Sequence, residues 1–158
     1  RALYAGEDPE FLARRIIICA SEDVGMANPN ALNVAVAAAE AVRMIGMPEA
    51  RIILAHAAVM VATSPKSNSC YAAISKALDD VQNKRTGEVP MHLRNAVTPE
   101  MKEAGYGEGY KYAHDYPGNI VKQEYFPEGM EGTIYYNPTA NGYEARIKEW
   151  LERFRNSK

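Results

Sequence analysis

Two cysteines, one tryptophan and three histidines are all that this 158-residue chain holds of the residue types that build disulfide frameworks, metal centres and indole-rich surfaces. Cys19 and Cys70 fall in apolar, helix-like surroundings. That context fits inert, buried thiols in a reducing compartment and excludes a small scaffold stapled by disulfides. No CxxC or HxxxH pair occurs, so no metal site is expected. Charge of one sign is also scarce. The net charge is −2, and no global basic field draws the chain to nucleic acid or to an anionic membrane. No apolar run reaches the ~18 residues of a membrane span, and no charged-then-apolar leader opens the sequence. A cytoplasmic chain with no membrane partner is the expectation. The phosphate-loop frame GxxxxGK is missing as well. Pro65-Lys66-Ser67 offers a lysine and a hydroxyl without the glycines that let backbone N–H groups cradle a phosphate. No catalytic, cofactor-binding or metal-binding residue is therefore assigned.

Helical punctuation is plentiful. Arg1–Ala5 reads as the last turn of a helix closed by Gly6, so more chain is expected upstream. Asp8-Pro9 places a capping carboxylate before a proline at the first helical position, and the helix it opens is expected to run to about Gly25. Phe11, Leu12, Ile16, Ile18 and Cys19 are its predicted inner face. Asn28-Pro29 repeats the signal for a second helix, which Gly46 should end in a left-handed conformation. The stretch from Pro48 to Ala62 has apolar residues in every direction when projected at ~100° per residue. Such a helix belongs in the middle of a bundle or against another copy of the protein. Ser64-Pro65 breaks it, since a residue before proline avoids the helical region. Ser67 or Ser69 can cap a fourth helix, ending before Arg85-Thr86-Gly87, with Tyr71, Ile74 and Leu78 facing the core.

From residue 87 the texture changes. Eight of the ten tyrosines lie between Tyr106 and Tyr143, among frequent glycines and prolines. Disordered chains are poor in aromatics, so an ordered wrap over the helices is expected, rings buried and hydroxyls bonded. Short helical turns fit Met91–Asn95 and the Thr98-Pro99 segment, and a short hairpin fits Glu124–Phe126 with Thr133–Tyr136. A final helix from about Asn141 carries Tyr143, Ile147, Trp150, Leu151 and Phe154 on one side. The predicted fold is mainly α: a bundle of four to six helices, a long Tyr/Gly/Pro-rich irregular segment with room for one hairpin, and a C-terminal helix, in a single domain over 1–158.

Chemistry is thin. His56, inside the third helix, reads as a satisfied core histidine. His114-Asp115 could orient an imidazole, but no nucleophile stands near it in sequence. The apolar surplus of the second and third helices marks a self-association surface, with Leu32, Val36, Ala39, Ile52, Val59 and Trp150 as candidate interface residues. An alternative is single-stranded or forked DNA binding by the Tyr106–Tyr116 loop, with Tyr110 stacking bases and Lys66, Arg94 and Lys111 near phosphates.

Five stretches carry a resemblance: ARRIIICASEDVGMANPNAL (13–32), SPKSNSCY (64–71), PMHLRNA (90–96), GYGEGYKYAHD (105–115) and YYNPTANGYEARI (135–147). Together and in this order they resemble the C-terminal part of the RarA/MgsA family of replication-associated recombination ATPases, relatives of Werner-helicase-interacting proteins. The resemblance implies a helical domain that follows an AAA+ module and holds subunits together as a homotetramer. It implies a parent protein that is a DNA-stimulated ATPase at stalled forks, nucleoid-associated if bacterial, meeting DNA and replication-fork proteins. ATP and magnesium would belong to the upstream module, since no Walker, sensor or arginine-finger segment is present here.

Overall fold

The computed structural model describes residues 1–84 and 86–156. Among these residues there are six α-helices: α1 (Pro9–Cys19), α2 (Asn30–Ile45), α3 (Ala50–Thr63), α4 (Ser69–Asn83), α5 (Pro99–Glu103) and α6 (Glu144–Asn156). The chain is mainly helical, as predicted, and no strand occurs among the described residues, including the two arms of the expected hairpin. Contacts divide it into two compact units, residues 1–76 with 135–158, and residues 77–134. Arg85, expected just beyond α4, lies outside the described residues, as do Ser157 and Lys158.

The first unit holds α1, α2, α3, the start of α4, and α6. Asp8 caps α1, its carboxylate oxygens accepting from the Glu10 and Phe11 N–H groups at 3.0 Å. The helix does not continue uniformly to Gly25. Ala20–Val24 widens into a π-helical turn and Gly25–Ala27 tightens into a 3-10 turn. Gly25 sits at φ 49°, and a Cβ there would lie 2.9 Å from the Ser67 carbonyl oxygen, so the turn needs glycine. Asn28 caps α2 by accepting from the Asn30 N–H at 3.2 Å. Gly46 ends α2 with φ 72° and ψ −173°. That is not the left-handed helical conformation expected, yet it is equally reserved for glycine.

Two clusters form the core. Ala13, Ala39, Val42, Ala50 and Leu54 gather Leu3, Leu12, Ile16, Ile17 and Ile53 around them. Ala20, Val24, Ala31, Ala35 and Val61 gather Cys19 and Met60. Among the described residues, nine of the thirteen buried apolar residues are alanine. Small side chains let α1, α2 and α3 approach closely, but each removes little area from water. The bulk that would thicken this core points elsewhere.

Several inward assignments are corrected for that reason. α3 buries only the Ala50, Leu54, Ala57 and Val61 stripe, and His56 is exposed rather than a core histidine. Tyr71, Ile74 and Leu78 of α4 are each more than half exposed, as is Val81. They keep helical spacing without a covering layer in the single chain. Phe11 and Ile18 lie at the edge of the α1 face, and Cys19 and Cys70 are free and only half-buried.

The second unit is the irregular one. Thr98 caps α5, accepting from the Met101 N–H at 3.3 Å. One turn forms at Met91–Leu93, and further single turns at Ala113–Asp115 and Pro117–Asn119. Side chains replace a ladder. The Gln123 amide accepts from the Lys111 N–H and donates to the Lys111 carbonyl, both at 3.2 Å. Tyr110, Tyr112 and Tyr125 are more than half exposed. The segment is ordered by polar cross-links of this kind, and the expected burial of tyrosine faces is corrected.

Candidate functional site

The best-built polar site in the first unit was not foreseen from the sequence. Glu144, the first residue of α6, is fully buried. Its carboxylate accepts from Thr139 Oγ1 at 2.7 Å, the Thr139 N–H at 2.8 Å, Tyr136 Oη at 2.8 Å and Ser69 Oγ at 3.2 Å. Burial pushes the carboxyl up, and donors from Ser67, Thr139 and Tyr136 outweigh it, holding Glu144 below the usual range. The same environment pushes Tyr136 far up, by burial first and then by its bond to Glu144. A charged carboxylate is thus kept in a dry place by neutral donors alone.

Neighbouring bonds extend this into a clasp. Asn141 Nδ2 donates to the Lys66 carbonyl at 2.8 Å, and the Tyr143 N–H to the Ala27 carbonyl at 2.8 Å. The Ser67 N–H donates to the Asp23 carbonyl at 2.8 Å, and Asn28 Nδ2 to Ser64 Oγ at 2.9 Å. Gly142 stands at φ 53°, where a Cβ would meet the Ala27 oxygen at 2.2 Å. Three of the sequence stretches singled out above, 13–32, 64–71 and 135–147, therefore meet here. These bonds fix α6 and the 64–69 junction to the turn after α1.

The candidate interface residues occupy outer faces. Leu32 and Val36 lie one turn apart on α2, both exposed. On α3, Ile52 is 64% and Val59 60% exposed, two turns apart on one side. Trp150 of α6 is 52% exposed and stacks on Phe154, ring centroids 5.5 Å apart. Ala39 is a correction: it is buried in the chain's own core and offers no surface to a partner. Sequence reasoning missed Met44, Ile45 and Met47, which expose large apolar side chains around the Gly46 turn. Their only signal was three bulky residues flanking a helix-ending glycine.

Of the DNA-contact candidates, Lys66 belongs to the first unit and Arg94, Tyr110 and Lys111 to the second. Lys66 Nζ caps the end of α3, donating to the Val61 carbonyl and to that of Ser64 at 2.8 Å. Arg94 pairs with Glu88 at 2.7 Å and lies over the Tyr106 ring at 5.5 Å. Arg94 and Tyr110 do share a depression of about 450 Å³ with His92, Asn95 and Tyr125. Lys111 is held by Gln123 and by the Lys122 carbonyl instead. Residues 77–134 carry six Lys and Arg against ten Asp and Glu, a balance that opposes phosphate contact. No group of three or more His, Cys, Asp and Glu suited to a metal ion occurs among the described residues. None of their helices is long and apolar enough to cross a membrane.

Comparison with known proteins gives a concordant result. Residues 1–155 match the family described as MgsA AAA+ ATPase C terminal. An uncharacterised AAA-domain-containing protein of Mycobacterium tuberculosis is 49% identical over 155 residues, covering 98% of this chain and 34% of that protein. Replication-associated recombination protein A of Escherichia coli K12 is 45% identical over 162 residues, covering 99% of this chain and 36% of the relative. ATPase WRNIP1 of Dictyostelium discoideum is 38% identical over 137 residues, covering 86% of this chain and 16% of the relative. The chain thus spans about a third or less of these relatives.

Proposed function

Because this chain belongs to the MgsA AAA+ ATPase C-terminal family, we propose that it is the self-association domain of a larger DNA-dependent ATPase that acts in replication-fork maintenance and recombination. Its work is to assemble four copies and so gather the ATPase modules of the parent protein. The domain itself performs no ATP chemistry; ATP and magnesium belong to the module that precedes it in such proteins. DNA and fork proteins are met by the assembled parent, in the cytoplasm.

The observation that carries this reading is the distribution of bulk. The single chain's core is largely alanine, while Leu32, Val36, Ile52, Val59 and Trp150 stand on its outer helical faces. Exposed apolar surface of this extent marks association. Closed symmetry covers such surface without leaving free patches, and paired two-fold contacts give four subunits. Light scattering of Val36→Glu and Ile52→Glu tests the reading. Both positions are exposed, so each variant keeps wild-type helicity and loses mass relative to the wild type. Unfolding instead would assign these residues to the intramolecular core. Unchanged mass in both variants would remove α2 and α3 from the interface.

A further inference from the structure

An open apolar groove of about 580 Å³ runs between α1 and α3 in the first unit. Leu12, Ile16 and Cys19 on α1 face it at helical spacing, and Leu54, Ala58 and Ala62 do so on α3. The alanines give it depth, because larger side chains at those positions would fill it. Along α3 the lining extends from Arg51 to Ala62. At 1.5 Å per residue that is ~16 Å, the length of about three helical turns. Ile52 and Val59 lie about 90° further around α3, so the groove is separate from the self-association face proposed above.

Its rim is cationic. Arg1, Arg15, Arg51 and Lys66 line the groove, and no carboxylate does. On α1 and α2, Arg14 pairs with Asp8 at 3.6 Å, and Arg43 with Glu10 at 3.5 Å and Glu40 at 3.4 Å. Arg1, Arg15 and Arg51 have no ion pair among the described residues. Asp23, near the floor, is engaged by Cys19 Sγ at 3.0 Å. No ion pair among the described residues offsets the three rim arginines, and the lining itself is cationic.

We propose that the α1–α3 groove docks a short acidic amphipathic helix of a partner protein, its apolar stripe on the alanine-lined floor and its carboxylates toward Arg15, Arg51 and Arg1. A helix laid in a groove presents apolar anchors at i, i+3, i+4 and i+7, the spacing that α1 and α3 themselves present. Nucleic acid would satisfy the rim and leave the apolar floor unmatched. A bilayer is too broad to enter a concavity three turns long.

The test uses the 158-residue chain and a fluorescein-labelled peptide of about 12 residues. The probe has leucines at i, i+3, i+4 and i+7, glutamates on both flanks and alanine elsewhere. A control replaces every glutamate by glutamine. Anisotropy should show the glutamate probe binding at least about tenfold more tightly than the control, with affinity falling as salt screens the rim. Arg15→Glu/Arg51→Glu should lose about tenfold in affinity, and bound probe should slow alkylation of Cys19 while leaving Cys70 unchanged. Equal binding of the two peptides, or no binding of either, overturns the proposal. Binding of a thymidine 30-mer or phosphatidylserine vesicles through the same arginines, without the peptide, would give the groove to phosphates and overturn it. Loss of oligomeric mass in Arg15→Glu/Arg51→Glu would give it to a second copy, with the same consequence.

Discussion

Glu144 is the residue on which the first unit's polar order turns. Its charge has no cationic partner among its hydrogen bonds, only hydroxyl and N–H donors. The folded state lowers its pKa, so the stability it brings is complete above the ordinary carboxylate value of about 4.3. That stability is lost as pH falls through the lower folded value. Glu144→Gln keeps the shape and removes the charge. It should cost about 2–3 kcal/mol near neutrality, the scale of hydrogen bonds to a buried charge. Chemical denaturation at several pH values checks this: the gap to wild type should shrink below pH ~4.3. A pH-independent gap would mean that shape, not charge, holds the clasp. Gly142→Ala acts on the same clasp by collision, since its Cβ would stand 2.2 Å from the Ala27 oxygen. About 2–4 kcal/mol is expected from that overlap and the positive φ, read as a lower melting temperature. Nothing in the sequence pattern pointed to Glu144, because a buried charge has no periodicity and its donors come from residues 67–69 and 136–139. The cap at Asp8 was legible because donor and acceptor lie within three residues.

At the scale of elements, start and stop signals located the helices and faces were harder. Asp8-Pro9, Asn28-Pro29, Thr98-Pro99 and Gly46 each mark an observed boundary within a residue or two. The π turn after Cys19 was not legible in the sequence; its Asp23 carbonyl accepts from the Ser67 N–H, a partner distant in the chain. The face of α4 was assigned inward because Tyr71, Ile74 and Leu78 repeat at helical spacing. Periodicity reports that a face is apolar; it does not report whether the cover is the same chain or another. Two substitutions separate these cases. Leu54→Ala removes a side chain that is 5% exposed and should cost about 2–4 kcal/mol whatever the oligomeric state. Leu78→Ala, placed in the dissociated Ile52→Glu background, should change stability by less than about 0.5 kcal/mol. Thermal denaturation of both variants is the check. A large effect at Leu78 in that background would restore α4 to the intramolecular core.

For the whole molecule, the account is one of an unfinished surface. A core made mostly of alanine leaves leucine, isoleucine, valine, methionine and tryptophan side chains exposed in one copy. An association that completes it would bury more than ~2,000 Å², the range of obligate interfaces, and would make the melting temperature rise with protein concentration. The most direct measurement is the mass of the unmodified chain by multi-angle light scattering, from about 1 to about 100 μM. With a chain mass of 17.5 kDa, four copies should give about 70 kDa throughout that range. A mass that stays at the single-chain value of 17.5 kDa at every concentration would contradict the account.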